Sequence, residues 1–354
     1  MIGRFVYTGV PTRTVFGSGT IKELAAEATR AKMSRVLVLC SKGRRDLAEQ
    51  VVATLGPASA GICDAAVPNM PRDAFDRFSE QLKTEKADGF VALGGGSAIG
   101  LAKAVAASTL LPYIAVVTTL SGSEMSSKWA LGRGLGRAAG NDQRALPTVA
   151  IYDPELTRGL PPRVMAASGM NALAHAVESL YGEDTNPVVQ TLAEDAIRRL
   201  AENLPKAVAD SSHADAHNEA LYAAWLAGNF RSATCIHHVI AQQVRQLFDL
   251  DHASTHAVVL PYALAFNANA IPAAMMVLKR ALKTDDPPRT IFNLNKKMGL
   301  PTSIADVGMP AARLQDAVDV VMKVPGYNPR PYSAADVTAI LEQALAGKPP
   351  QTGA

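Results

Sequence analysis

The chain has 354 residues, room for two domains, and its 48% hydrophobic and 19% charged residues supply a sizeable core without a disordered or low-complexity tract. A formal charge of +3 carried on scattered basic residues gives no nucleic-acid footprint. No apolar run reaches the roughly 18 residues of a membrane span, and the three widely spaced cysteines (Cys40, Cys63, Cys235) form no CxxC pair and suit a reducing, cytosolic compartment.

In chain order, residues 1–20 read as a strand, a turn and a second strand; they lack the apolar core of a signal peptide. A buried strand follows at 35–40, then a turn at 41–43 and a helix over 45–55. A polar helix is predicted over 73–86, a strand at 89–93, a glycine loop at 94–96 and a helix over 97–107. Further strands fall at 113–118 and 149–152. Strands alternating with helices imply a mostly parallel sheet covered on both faces, an α/β domain over 1–155. Beyond Asp153-Pro154 the pattern turns helical, at 170–181, 188–204, 217–226, 236–247 and 334–346, with no strand. Prolines 154, 161 and 162 punctuate the change, so 156–354 is predicted to be an all-α domain.

Two loops of the first domain carry chemistry. Gly94-Gly95-Gly96-Ser97 joins a buried strand to a helix. Glycines there let a backbone approach a ligand, and the N–H groups of the helix start favour an anion such as pyrophosphate. The spacing is not GxGxxG, and a tight strand-to-helix turn would read the same way. After the next strand comes Thr118-Thr119-Leu120-Ser121-Gly122-Ser123-Glu124. Open α/β sheets bind ligands beyond the carboxyl ends of their strands, and two such loops in succession point to a ligand crevice. At Ser41 the turn is basic (Lys42, Arg44, Arg45), where a carboxylate would hold a ribose 2′-OH and repel a 2′-phosphate. The turn therefore tolerates NADPH as well as NADH, although a solvated basic turn would look alike.

In the second domain His175 lies four residues after Asn171 on one helical face, and His237, His238, His252 and His256 fall within twenty residues. A lone histidine is an ordinary core or surface residue. A cluster with i, i+4 relations marks a metal or catalytic site, where imidazoles act as ligands, acids or electrophiles.

Taken together, Gly94-Gly95-Gly96-Ser97, Gly122-Ser123-Glu124, Asp153-Pro154, Asn171 with His175, and His238 with His252 resemble the iron-containing alcohol dehydrogenase superfamily. Within it the chain is most similar to the maleylacetate reductases. Ile151-Tyr-Asp-Pro-Glu-Leu-Thr157, His252-Ala-Ser-Thr-His256 and Asn328-Pro-Arg-Pro331 extend the likeness over nearly the whole chain. The resemblance implies the fold of that superfamily, shared with dehydroquinate synthase-like enzymes. It implies NADH- or NADPH-dependent reduction of the carbon–carbon double bond of maleylacetate to 3-oxoadipate in aromatic-compound degradation, a small dicarboxylate as substrate, and a homodimer.

It also implies that Asn171, His175, His238 and His252 occupy the positions where iron-containing members bind metal through one aspartate and three histidines. With asparagine for aspartate the only anionic ligand is gone, and catalysis without metal is expected. The pattern breaks at Gln242, where relatives carry a histidine, and at Arg245-Gln246, where they carry glycines. Gln242 offers a hydrogen bond only, whereas Arg245, with Arg231 and Arg330, is a candidate for a substrate carboxylate. Three rival readings stay open: a metal-dependent alcohol dehydrogenase of the same superfamily acting on an aldehyde or ketone, a zinc-dependent sugar-phosphate cyclase, and a non-catalytic nucleotide-binding descendant.

Overall fold

The computed structural model describes residues 4–132, 134, 137–230, 235–324 and 326–351. They form two compact units, one of Val10–Leu160 and one of residues 4–9 with Pro161 onward.

The first unit carries β1 (Arg13–Phe16), α1 (Leu24–Arg30), β2 (Val36–Leu39), α2 (Arg45–Leu55), β3 (Ser59–Cys63), α3 (Arg72–Thr84), β4 (Gly89–Gly94), α4 (Gly96–Thr109), β5 (Tyr113–Val117), the hairpin β6 (Lys128–Leu131) and β7 (Ala138–Asn141), and β8 (Val149–Tyr152). Six strands form one parallel sheet in the order β1-β8-β5-β4-β2-β3. The inner strands are apolar along their length because helices cover both faces. Val36, Val38, Val91, Leu93, Ile114, Val116, Val149 and Ile151 pack on one side against Leu24, Ala48 and Val51. Phe90 lies between the Phe78 and Tyr113 rings, 5.3 and 5.1 Å away. Burying such a side chain contributes about 2–3 kcal/mol.

The strand order reverses direction between β2 and β4. From β2 the chain crosses outward to β3, whereas from β4 it crosses the other way to β5. The loops that leave β2 at Ser41 and β4 at Gly94 therefore diverge at a topological switch point, where open sheets hold their ligands.

The expected strand before residue 10 does not form. Residues 4–9 have no strand partner, Phe5 and Val6 are exposed, and the Tyr7 hydroxyl donates to the Asn229 carbonyl (3.4 Å), which groups this segment with the helical unit. The boundary also falls later than Asp153-Pro154. The Asp153 carboxylate accepts the N–H groups of Glu155 (3.1 Å) and Ile21 (3.2 Å), which holds the turn at Pro154–Thr157 to the sheet.

The second unit holds α5 (Pro162–Ser179), α6 (Pro187–Ala209), α7 (Ala214–Gly228), α8 (Ile236–Phe248), α9 (His252–Asn267), α10 (Pro272–Leu282), α11 (Pro287–Lys297), α12 (Ile304–Val307), α13 (Leu314–Met322) and α14 (Ala334–Ala346), with no strand among its described residues. Prolines open α5, α6, α10 and α11, where a missing N–H costs nothing. α5 is buried along most of its length and is small-residue rich; a Cβ at Gly169 would meet Leu204 of α6 at 2.5 Å. A second core, including Ile240, Val244, Val259, Val318 and Leu341, locks α8, α9, α13 and α14 together and so fixes where α8 and α9 present their polar residues.

Candidate active site

In the sheet unit, Gly94 (φ +146°) turns the chain out of β4, a conformation that favours glycine. Gly95 is the residue before α4 and offers no side-chain cap, and Ser97 lies inside the helix. A Cβ on Gly95 would sit 2.4 Å from Thr119 Cγ2 and Oγ1, so only glycine lets the two loops touch, and the Thr118 N–H donates to the Gly94 carbonyl (3.1 Å). A Cβ on Gly96 would meet nothing within 4 Å. The start of α4 therefore faces open space with uncapped N–H groups, a fit for a pyrophosphate. The Ser121 hydroxyl accepts the Ser123 N–H (3.5 Å) and lies 3.4 Å from the Thr119 hydroxyl.

In the helical unit the histidines gather around one carboxylate. Asn171, His175 and Glu178 recur at i, i+4 and i+7 on α5, one face of the helix. Glu178 is buried. Its Oε1 accepts the backbone N–H groups of His237 (3.1 Å) and His238 (3.4 Å) at the positive start of α8, and its Oε2 pairs with His238 Nδ1. Burial alone would raise this carboxyl; the charge on His238 and the hydrogen bonds from His237 and His238 outweigh it and hold the group below its ordinary range. With Nδ1 committed to Glu178, His238 turns Nε2 toward His175 Nε2, 3.4 Å away, and the two rings lie 4.3 Å apart.

His256, on α9, packs against the rings of His238 (4.7 Å), His237 (5.0 Å) and His252 (4.5 Å). It is fully buried with neither ring nitrogen bonded. Burial, then repulsion from His252 and His238, pushes its pKa well below the ordinary histidine value. His175 is pushed down in the same way, by burial first and then by His238, with His252 adding to it. Both are neutral at pH 7. His252, the first residue of α9 after its cap Asp251, is exposed.

The structure thus brings His175, His238 and His252 together and places the buried Asn171 one turn before His175. Gln242 and Arg245, both half-buried, continue the His238 face of α8 at i+4 and i+7. Arg330 is engaged elsewhere: its Nη1 donates to the Phe266 carbonyl (3.0 Å), its guanidinium stacks on the Phe266 ring, and Nη2 lies 3.7 Å from Asp336. Arg231 lies outside the described residues. The sequence places His237 and His256 in the histidine cluster without giving either a role, and it does not single out Glu178. The i+7 spacing of Glu178 from Asn171 and the i+4 spacing of His256 from His252 were the available signals.

The donor set fits a divalent ion poorly. The nitrogens of His237, His238 and His256 lie within 4.8 Å of one another, but His237 Nε2 is taken by the His256 carbonyl (3.0 Å) and His238 Nδ1 by Glu178. At Asn171, His175, His238 and His252, the positions where the resemblance places a metal, the donors are imidazoles and an amide, with no carboxylate among them.

A family model described as iron-containing alcohol dehydrogenase matches residues 11–154, and one described as the C-terminal part of the same family matches residues 165–345. The chain is 39% identical to the maleylacetate reductase of Sphingobium indicum over 351 residues, 99% of each chain. It superposes on the crystal structure of maleylacetate reductase from a Rhizobium species with a TM-score of 0.92 at 34% identity, covering 99% of this chain and 100% of the other. The crystal structure of maleylacetate reductase from Agrobacterium tumefaciens gives 0.93 at 32% identity, with 99% and 100% covered.

Proposed function

The chain belongs to the iron-containing alcohol dehydrogenase family, and we propose that it is an oxidoreductase that reduces maleylacetate to 3-oxoadipate with NADH or NADPH, without a metal ion, in aromatic-compound degradation. The observation that carries this reading is the His175–His238 pair backed by the buried Glu178 carboxylate, with the amide of Asn171 one turn before His175.

The coenzyme, when bound, supplies a hydride to the alkene carbon β to the ketone. The loops at Ser41, Gly94–Ser97 and Thr118–Ser123 would hold it, and the start of α4 would take its pyrophosphate. As the hydride arrives, negative charge builds on the ketone oxygen. The imidazoles of His175, His238 and His252 donate to that oxygen and supply the proton that completes the reduction. One preorganised donor of this kind is worth about 3–4 kcal/mol in the transition state. Asn171 adds an amide beside them. Gln242 offers a hydrogen bond where relatives have a histidine, and Arg245 takes a substrate carboxylate. An enone conjugated to its ketone needs less electrophilic help than a simple aldehyde, which fits hydrogen-bond donors in place of a metal ion.

The basic turn after Ser41 supports acceptance of both coenzymes. The protein acts as a homodimer in the cytosol; among the described residues no helix is long and apolar enough to cross a membrane. One observation favours a metal-dependent alcohol dehydrogenase instead: the 3.4 Å between His175 Nε2 and His238 Nε2 also suits two ligands of one tetrahedral ion.

The deciding experiment follows nicotinamide absorbance with purified protein, maleylacetate and either coenzyme, with and without EDTA. Rapid oxidation indifferent to EDTA is expected. Activity on aldehydes or ketones that EDTA abolishes and a divalent ion restores would establish the second reading, and coenzyme binding without turnover on any carbonyl substrate would defeat both.

A further inference from the structure

A buried lysine lies beneath the coenzyme loops and takes no part in the chemistry above. Lys103 is on α4 two turns after Gly96, on the side that faces the loop following β5, and is only 3% exposed. Its Nζ donates to the Ser123 carbonyl (2.9 Å). Next to it Glu124, also buried, accepts the Tyr152 hydroxyl through Oε1 (2.6 Å), while its Oε2 has no hydrogen-bond partner.

The segment from Thr118 to Glu124 is thus held at four places. Thr118 is bonded to the Gly94 carbonyl, Thr119 touches the Gly95 backbone, Ser123 is bonded to Lys103, and Glu124 is bonded to Tyr152 of β8. Three of these ties need no positive charge. Desolvating an ammonium is costly, several kcal/mol even after relaxation, and an apolar side chain of similar length would fill the same space. Burial pulls Lys103 down to about 8, only partly offset by Glu124, so at pH 7 it still carries its proton. A cation kept there at such cost, on the helix whose open start faces the anion cradle, has an electrostatic use.

We propose that Lys103 is a positioning residue for the coenzyme's pyrophosphate: it fixes the Ser123 end of the cradle and places a buried positive charge beneath it. This rests on the reading of these loops as the coenzyme site. The ammonium does not touch the coenzyme. It acts through the Ser123 backbone and through a field that is poorly screened because the charge is out of water.

The test compares wild type, Lys103→Met, which loses donor and charge, and Lys103→Gln, which keeps a donor without the charge. Binding of NADH, ADP-ribose and adenosine is titrated calorimetrically, and kcat is measured at saturating NADH. The expected result is NADH and ADP-ribose dissociation constants raised about tenfold or more in Lys103→Met and severalfold in Lys103→Gln. Adenosine binding and kcat should stay within twofold of wild type. If Lys103→Met does not fold, Lys103→Gln decides. A folded variant that binds NADH and ADP-ribose as tightly as wild type, or that loses adenosine equally, would overturn the assignment. Wild type that binds none of the three would overturn the coenzyme reading of the loops as well.

Discussion

The Glu178 carboxylate and the His238 imidazole form a buried pair in which a single carboxylate both closes the start of α8 and selects which ring nitrogen of His238 faces His175. Carboxylates that hold an imidazole in one tautomer act on rate through geometry as much as charge. Glu178→Gln is the informative change, because the amide oxygen can still accept the backbone N–H groups while its NH2 cannot accept from His238 Nδ1. We expect kcat to fall about 100-fold or more with KM for maleylacetate nearly unchanged, and the tautomer of His238 to reverse by nitrogen NMR. Glu178→Ala should be far less stable, since it strips an anion from a buried pair, a loss of about 3–5 kcal/mol.

Asn171→Asp restores an anion to the ligand set of the metal-binding relatives. The variant should bind Zn2+ or Fe2+ at least about tenfold more tightly than wild type, read by calorimetry. Equal affinity in the two proteins would show that the asparagine is not what discourages the ion.

The two described arginines should separate cleanly. Arg330→Ala removes bonds to Phe266 and Asp336 and should lower the melting temperature while leaving KM for maleylacetate within twofold. Arg245→Ala should raise that KM about tenfold or more, the worth of a hydrogen bond to a charged group. The opposite pattern would move the carboxylate site.

His256 predicts an acid sensitivity. Its folded pKa is depressed, so the unfolded chain binds a proton that the folded chain refuses as pH falls through about 6.5, and stability is lost in that direction. Because neither ring nitrogen has a partner, His256→Leu sacrifices no hydrogen bond. The variant should melt as high as wild type at pH 7.5 and higher than wild type at pH 5.5.

Lys103 predicts a slope of the same sign on the alkaline side. Its folded pKa of about 8 lies below the ordinary 10.5, so between those values the unfolded chain holds the extra proton and stability rises with pH. Relative to Lys103→Met, wild type should gain about 3 kcal/mol across that window. A flat difference would mean that the ammonium is better solvated than its burial implies.

Much of this architecture was legible in the sequence because periodicity and apolar runs report burial directly. The strands at 36–39, 89–94, 113–117 and 149–152 and the helices at 45–55 and 236–248 lie close to where the pattern puts them. β3 was not anticipated: Ser59-Ala-Gly-Ile-Cys63 is short, small and without alternation, and it exists because β2 offers it an edge. The hairpin β6–β7 was missed for a like reason, and residues 4–9 failed the opposite way, strand-like in composition with no neighbour to pair with. In the site, motif spacing found Asn171, His175, His238 and His252. It grouped His237 and His256 with them but gave neither a role, and it did not single out Glu178, because their importance lies in what they touch across helices and a linear pattern does not encode that.

Asn171, His175 and Glu178 sit on successive turns of a helix that is packed almost all round, so the spacing of Asn171 and His175 from the Glu178 carboxylate is set by helical pitch. Loop length has no say in it. Gln242 and Arg245 lie farther along a different helix, α8. His238 lies in the first turn of that same helix and is pinned there by Glu178, while Gln242 and Arg245 follow one and two turns on, so a substitution at either position changes what borders the histidines and leaves the Glu178–His238 contact in place.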